Sequence, residues 1–123
     1  MTHNTPAATD LRIAALAFDC REPAVLAPFW AALLGGTVEF DSVGDATVHL
    51  PGAPGLDFIR VPEPKSVKNR LHLDLRGASY DDAIGTALAL GAGRADDIYD
   101  GGSWQVLRDP EDNEFCILRP ARS

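Results

Sequence analysis

Apolar residues recur along this chain at two spacings, one typical of helices and the other of strands. Between residues 23 and 34 the apolar positions follow offsets of three, one, three and one, which place them on one helix face: Leu26, Phe29, Trp30, Leu33 and Leu34. Pro23 suits the opening turn of this helix. Pro28 lies about one turn further on, so we expect the helix to start late or to bend there.

A second helix is predicted over Tyr80–Leu90, with an apolar stripe formed by Ile84, Ala87, Leu88 and Leu90. We expect Ser79 to cap its first turn and Gly91 to end it. Asp81 and Asp82 suit the positive end of the helix dipole. Each helix is therefore expected to cover a sheet with one face.

Strand-like segments flank each helix in the same order. In the first half they cover residues 11–20, 37–40, 46–50 and 56–61, and in the second half residues 70–75, 96–99, 103–108 and 114–118. Each half therefore reads as β-α-β-β-β, with a repeat of roughly sixty residues. The pattern predicts an α+β fold made of two such modules.

The segment Asp109–Asn113 predicts a tight turn between the last two strands. Pro110 fixes φ near the value that the second position of a type I turn requires, and Asp and Asn tolerate the left-handed conformation that closes it. Strands at Ser103–Arg108 and Glu114–Leu118 should therefore form a hairpin.

The length and composition fit one compact domain, because the chain has 123 residues and 46% of them are hydrophobic. We place the modules at residues 11–61 and 70–119, joined by a linker at 62–69. Met1–Asp10 is polar and contains proline, so we expect a disordered leader there and not a signal peptide.

The charge balance narrows the class of partner. A net charge of −7 argues against binding to a nucleic-acid backbone, and no apolar stretch has the length of a membrane span. Cys20 and Cys116 are too few for a disulfide framework, which favours a cytoplasmic protein with free thiols. Four basic residues lie in and beside the linker. We favour a solvent-exposed linker for them over a binding site for an anion or a contact between subunits. These residues are Arg60, Lys65, Lys68 and Arg70.

Several residues that could bind a ligand or react lie on the last two predicted strands. Trp104 and Arg108 share one strand face, which suits stacking on and pairing with a planar or anionic ligand, although core packing is the alternative for Trp104. Cys116 lies between Phe115 and Ile117, which favours a small buried hydrophobe over a nucleophile. The thiol would become reactive only if His72 or a cation lowered its pKa. The sequence contains no glycine-rich phosphate loop, nucleophile elbow or paired-cysteine zinc motif.

Three groups of residues together resemble a known family. They are Phe18–Pro23 before Leu26–Trp30 and Leu34–Gly35, the segment Arg60–Lys65 leading to Lys68–Leu75, and the turn Asp109–Asn113. In this combination the chain resembles the glyoxalase and bleomycin-resistance group of the vicinal oxygen chelate superfamily, and most closely its small glyoxalase-like domain proteins, over residues 11 to 119. The resemblance implies two modules whose curved sheets form an open cup, which holds a divalent ion in metal-dependent members.

The resemblance also implies where a metal would bind, since family ligands come from the first and last strands of each module. The position on the opening strand of module one falls near Ala15, which cannot bind a metal, whereas its counterpart in module two is His72. Where the family usually has Glu on the final strand, this chain has Cys116, with Glu114 on the same face. The last strand of module one offers Asp57. We therefore expect no complete metal site, and a hydrogen-bonded histidine inside the cup is the alternative role for His72.

We interpret the chain as a protein that binds a small organic molecule in its cup without a complete metal site. The expected ligand-binding residues are Asp57, His72, Trp104, Arg108 and Cys116, and a metal, if bound, would use His72, Cys116 and Asp57. One alternative is a metal-dependent glyoxalase-like lyase or isomerase with His72, Glu114 and Cys116 as catalytic candidates. The other is a ligand-free interaction module. Because a curved sheet with an open edge is usually paired or covered, we also expect a closed homodimer.

Overall fold

The structure, a computed structural model, describes residues 9–121 and contains two helices and eight strands in that range. In chain order the elements are β1 (Ala15–Cys20), α1 (Pro23–Leu34), β2 (Thr37–Phe40), β3 (Ala46–His49), β4 (Gly55–Arg60), β5 (Asp74–Arg76), α2 (Tyr80–Leu90), β6 (Gly93–Arg94), β7 (Trp104–Arg108) and β8 (Glu114–Leu118). This order confirms the predicted repeat of two β-α-β-β-β modules. Most of the predicted leader, Met1–Asp10, lies outside the described residues. Neither of the two helices has the length and apolar character needed to cross a membrane.

Each module contributes one open four-stranded sheet, and the two sheets have the same topology. The strand order is β1-β4-β3-β2 in the first sheet and β5-β8-β7-β6 in the second. The first strand of each module pairs in parallel with its last strand, and all other neighbours pair antiparallel. The predicted final hairpin is confirmed, with Trp104 opposite Leu118 and Arg108 opposite Glu114.

The opening strands of both modules begin later than predicted. β1 begins at Ala15 and not at Leu11, and β5 begins at Asp74 and not at Arg70. The preceding residues have no partner strand, because β4 starts opposite Ala15 and β8 pairs with β5 only from Asp74 onward. Leu11 and Leu71 are accordingly exposed, so these apolar residues do not mark strands.

The predicted strand Asp96–Tyr99 is wrong. The strand at this point, β6, is only Gly93–Arg94 and pairs with the end of β7. A turn closed by the backbone bond from Ile98 N to Ala95 O, 3.0 Å long, then leads the chain away from the sheet. Residues 96–103 therefore form a loop, and their apolar side chains serve the loop and not a strand.

The helices match their predicted ranges but not all of their predicted end signals. α1 begins at Pro23 and continues through Pro28, so a late start is not observed; the missing N–H of Pro28 removes only one bond near the helix start. Gly35 ends α1 in a left-handed conformation with φ 73°. Ser79 occupies the predicted N-cap position of α2, but its side chain makes no capping hydrogen bond, so the position is confirmed and the capping bond is not observed.

One apolar core is shared by the two modules. Trp30 of α1 packs edge-on against Phe115 of β8, with ring centroids 4.9 Å apart, and also contacts Phe18 of β1. The largest fully buried side chains come from α1 and from both sheets: Trp30, Phe58, Phe115, Leu26, Leu56, Leu107 and Val48. The modules therefore bury one another's apolar faces and form a single domain.

The turn between β7 and β8 is bonded to the start of α1. The buried Asp109 carboxylate accepts a hydrogen bond from Trp30 Nε1 at 2.9 Å, and also bonds within its own turn. The Glu111 carboxylate accepts bonds from the backbone N–H groups of Arg21 and Glu22, at 2.7 and 2.8 Å. A carboxylate of the second module thus satisfies donors at the N-terminus of a helix of the first module.

Candidate functional site

The outward face of the second sheet forms a cup. Along β8, Phe115 and Ile117 point into the shared core, whereas alternate residues point to the opposite face. A cavity of about 500 Å³ covers that opposite face. The cavity is lined by the charged and polar residues Lys68, His72, Asp74 and Glu114, the rings of Tyr99 and Trp104, the β8 residue Cys116, and the apolar residues Ile98, Val106 and Leu118.

Three metal-ligating side chains meet in this cup. Asp74 and Cys116 lie directly opposite each other in the parallel pairing of β5 with β8, so their side chains share one face. His72 precedes Asp74 by two residues, and its Nδ1 lies 2.8 Å from Asp74 Oδ1. One potential ligand atom from each of the three residues lies within 4.8 Å of the others. A search of the described residues for three or more metal-ligating side chains close enough to hold one ion finds this group alone.

The thiol of Cys116 is held in its protonated form. Burial, the nearby negative charge of Asp74 and a hydrogen bond to Asp74 together raise the pKa of the Cys116 thiol to about 11. The other cysteine, Cys20, is buried in the shared core, where burial and nearby carboxylates raise its pKa to about 12. Neither thiol has the lowered pKa of a cysteine nucleophile.

A stacked aromatic pair lines the cup. The rings of Tyr99 and Trp104 lie parallel, with an interplanar angle of 9° and centroids 4.0 Å apart. Tyr99 folds back over Gly101, where a Cβ atom would collide with the tyrosine hydroxyl group and ring. Trp104 remains 39% exposed, so part of its ring surface is open to a ligand. Trp104 therefore lines the cavity and also packs on Tyr99, and its role in ligand binding stays a prediction.

Glu114 belongs to an ion-pair network and is not a free carboxylate. Its oxygens accept bonds from Lys65 Nζ at 2.9 Å and from the backbone N–H of Asn69 at 3.0 Å. Burial favours a raised pKa, but these bonds outweigh it and lower the pKa of Glu114. The carboxylate therefore stays charged and paired, which leaves it no role as a proton donor.

The Arg108 side chain is also already paired with carboxylates of this chain. Its guanidinium donates two hydrogen bonds to Asp97, at 2.9 and 2.8 Å, and its Nε lies 3.4 Å from Glu114. Arg108 is absent from the residues that line the cup. The structure thus brings His72, Trp104 and Cys116 together at the cavity and places Arg108 outside it.

Asp57 and Ala15 both lie on the first sheet. Asp57 pairs with Ala17 of β1, and its carboxylate accepts a hydrogen bond from the Thr47 hydroxyl at 2.8 Å. Ala15 lies opposite Gly55 at the start of the same strand pair and offers no ligand atom. Among the described residues, Asp57 lies on the first sheet and is not grouped with His72 and Cys116, the residues named with it for the case that a metal is bound.

Of the basic residues around the linker, Arg60, Lys68 and Arg70 are exposed as predicted, whereas Lys65 departs from the prediction. Lys65 is only 17% exposed and pairs with Glu114, and Lys68 lines the cup. A larger cavity of about 710 Å³ lies elsewhere, at the junction of the linker with the start of α1. Charges of both signs line it, and its Glu111 is bonded to backbone N–H groups. The cup is the better candidate site, because it contains the clustered donors and the aromatic pair.

Two important residues of the cup were not predicted. Asp74 follows His72 by two residues, so strand alternation places both on one face and was a usable signal. Tyr99 lies in the loop that the sequence analysis assigned to a strand. No local pattern predicts that a loop residue stacks on Trp104.

Comparison with known proteins identifies relatives of the whole fold. The family described as "Glyoxalase-like domain" matches residues 15–118. No curated protein matches the sequence at a significant level.

Several solved structures share the fold at low sequence identity. A glyoxalase/bleomycin resistance protein/dioxygenase family enzyme from Burkholderia phytofirmans PsJN has a TM-score of 0.70 at 18% identity, over 90% of this chain and 100% of that one. The E126Q mutant of the fosfomycin resistance protein FosX from Listeria monocytogenes, complexed with Mn(II) and 1S,2S-dihydroxypropylphosphonic acid, has a TM-score of 0.70 at 9% identity, over 89% and 90%. At these identities the likeness shows the fold alone.

Proposed function

Because the chain belongs to the glyoxalase-like domain family of the vicinal oxygen chelate superfamily, we propose that it binds a small organic molecule in the cup of its second sheet. The observation that carries the proposal is the cavity of about 500 Å³ that joins a stacked aromatic pair to imidazole, carboxylate and ammonium groups. Cavities of this size with an apolar lining and a few polar groups are typical of small-molecule sites.

The lining favours a planar, partly apolar ligand with a polar group. Trp104 offers an open ring surface for stacking, and Ile98 and Leu118 add apolar area. His72 and Lys68 are exposed within the same cavity, where each can bond to a polar atom of the ligand. An aromatic compound carrying a carboxylate or amine has both features.

The proposed binding does not use a metal of the kind present in the FosX complex. Mn²⁺ prefers carboxylate, carbonyl and water oxygens. The cup provides one imidazole, one thiol and the Asp74 carboxylate, which is bonded to His72, and Glu114 is already held by Lys65 and Asn69. These residues do not fit a hard-metal site, so the proposal has no step that depends on one.

A thermal-shift screen of aromatic carboxylates and aromatic amines, in the presence of a chelator, tests this proposal. A ligand should raise the Tm of the wild-type protein and of Phe40→Ala, because Phe40 is an exposed aromatic residue of the first sheet. The shift should be lost in Trp104→Ala. If no compound stabilises the protein, or if Trp104→Ala responds like wild type, the proposal is wrong.

A second candidate function is a metal-dependent glyoxalase-like lyase or isomerase. The observation that favours it is the approach of His72, Asp74 and Cys116 in one cavity. This candidate requires turnover of a glyoxalase-type substrate that depends on added metal and is lost in His72→Ala. Ligand binding that persists in the presence of a chelator, without turnover, favours the first candidate.

We also propose that the chain acts as a cytoplasmic homodimer. β1 and β2 are the edges of the first sheet, and β5 and β6 those of the second, so each sheet has open edges that a second copy can cover. Two buried free cysteines suit a reducing compartment. Light scattering at micromolar concentration should give twice the 13.1 kDa chain mass, and a 13.1 kDa species alone would contradict the dimer.

A further inference from the structure

We propose that Glu114 is the positioning residue of the cup and that its carboxylate anchors two walls of the cavity. One wall is the linker, residues 62–69, which contributes Lys68 to the lining. The other wall is the loop of residues 95–103, which contributes Tyr99. Neither wall contains a helix or a strand, so each depends on side-chain bonds for its position. This role rests on the proposed function, in which the cup holds a small organic molecule.

Glu114 holds the linker with both its side chain and its backbone. The carboxylate accepts bonds from Lys65 Nζ at 2.9 Å and from the backbone N–H of Asn69 at 3.0 Å. The Asn69 side chain accepts a bond from the Glu114 N–H at 2.7 Å and donates one to the Glu114 C=O at 3.2 Å. Lys68 lies between the two bonded linker residues. These bonds therefore fix the part of the linker that lines the cup.

Glu114 reaches the loop through Arg108. The Arg108 Nε lies 3.4 Å from a Glu114 oxygen, and the two terminal nitrogens donate to Asp97 at 2.9 and 2.8 Å. Two parallel N–H bonds to one carboxylate fix orientation as well as distance. Asp97 lies two residues before Tyr99, whose ring stacks on Trp104. The direction of the guanidinium therefore decides where the loop places this ring.

The burial of Glu114 fits a positioning role. Its side chain is 5% exposed, and its two oxygens accept bonds from three donor groups. Burying a charge costs free energy that its partners only offset, so a buried ion pair adds little net stability and fits a role in fixing one arrangement. The other buried acidic residue among those described, Asp109, bonds to Trp30 and within its own turn. Asp109 thus resembles Glu114 in burial but anchors neither wall.

Backbone order parameters, measured by ¹⁵N relaxation without any ligand, test the inference. Glu114→Gln keeps the size of the side chain and one acceptor oxygen, but it loses the charge that pairs with the two neighbouring cations. We expect order parameters at residues 65–69 and 96–101 to fall from about 0.85 to below about 0.6, while the first sheet stays rigid. Walls that stay rigid in this variant, or an equal loss of order over the whole chain, would overturn the assignment.

Two further variants separate the walls and keep the test available if Glu114→Gln does not fold. Asp97→Asn weakens only the bond to Arg108, so it should loosen the loop and leave the linker rigid. Lys65→Met removes only a linker bond, so it should loosen the linker and leave the loop rigid. Neither residue belongs to the apolar core. A variant that loosens the wrong wall, or no wall, contradicts a shared anchor.

Asp109→Asn is the matched control, because it neutralises the other buried carboxylate and leaves both walls bonded to Glu114. It should lower the midpoint of urea unfolding and leave both walls rigid. Loosened walls in this control would show that general destabilisation is a sufficient cause, which would overturn the positioning role.

Ligand affinity gives a second readout. Glu114→Gln should weaken binding of an aromatic ligand found by screening at least tenfold, whereas Asp109→Asn should change it less than twofold. Equal losses in the two variants would contradict the positioning role. If no ligand is found, the proposed function is wrong, and the order parameters of the ligand-free protein still decide the role of Glu114.

Discussion

The outward faces of the two sheets have the same strand topology but very different chemistry. Each carries a histidine beside a carboxylate at 2.8 Å: His49 with Glu39 on the first sheet, and His72 with Asp74 on the second. On the second sheet a thiol and an aromatic pair lie in the same cavity as the histidine. On the first sheet the neighbouring carboxylate, Asp57, is bonded to Thr47. A histidine–carboxylate pair is thus not a site by itself, and the groups around it decide its use.

The loop between the second and third strands of each module explains much of this difference. In the second module, residues 95–103 carry Tyr99 over the sheet face, where it stacks on Trp104. In the first module, the connection from β2 to β3 is a short turn in which Asp41 accepts bonds from the backbone N–H groups of Val43 and Asp45. One loop therefore makes a cup from a face that the other module leaves open.

The largest effect should come from the core that the two sheets share. Trp30→Ala removes contacts with Phe18 and Phe115 and the hydrogen bond to Asp109, so we expect a loss of about 3 to 5 kcal/mol in the free energy of unfolding. Urea denaturation should show one transition with a lower midpoint. Two separate transitions, with one unaffected, would show that the modules are stabilised independently.

Replacement of each histidine by alanine sharpens the comparison between the outward faces of the two sheets. His72→Ala removes a hydrogen-bonding group from the cup and should weaken binding of the aromatic ligand found by screening by roughly tenfold, or about 1.4 kcal/mol. His49→Ala is matched in partner type and distance and should leave the affinity unchanged. Equal losses in the two variants, measured by calorimetry, would remove the functional distinction between the sheets.

A smaller effect should follow from displacing Tyr99. A Cβ at position 101 would collide with the tyrosine ring, so Gly101→Ala should move Tyr99 off Trp104 and weaken ligand binding about threefold. Gly77→Ala is the control, because a Cβ there meets open space. Both variants should keep the wild-type unfolding midpoint. An unaltered affinity for Gly101→Ala would show that the aromatic stack does not contribute to binding.

The smallest effect concerns pH and the core thiol. The pKa of Cys20 is raised to about 12 from an ordinary value of 9.0, chiefly by burial. Between these values the unfolded chain loses a proton that the folded chain keeps, so stability should be full below pH 9 and fall as the pH rises toward 12. Cys20→Ala should show a flatter decline than wild type when denaturation is followed in chelator. An identical slope in both proteins would remove this cause.

The order of the helices and strands was predictable from the sequence, whereas the candidate site was predictable only in part. The three- and four-residue spacing of Leu26, Phe29 and Trp30 gave α1, and the turn residues after Arg108 gave the last hairpin. Exposed apolar residues misled the prediction, because Leu11 and Leu71 look like strand residues but have no partner strand. Such pairing is a property of the whole sheet, which local spacing does not contain.

Within the candidate site, the family resemblance pointed to His72 and Cys116, and Asp57 was named with them for the case that a metal is bound. Asp57 matches the others in position within its own module, but it lies on the first sheet. Register alone brings Asp74 opposite Cys116, and a hydrogen bond from Lys65 removes Glu114 from the candidates. Sequence shows which residues can do chemistry; side-chain pairing shows which of them are free to do it.

Mapping of amide chemical shifts on addition of an aromatic ligand tests most directly whether the second sheet carries the function. We expect changes confined to the cup, at residues 68–74, 98–106 and 114–118, with residues 37–49 of the first sheet unchanged. Changes centred on the first sheet, or spread evenly over both, would contradict the assignment of ligand binding to the cup of the second sheet.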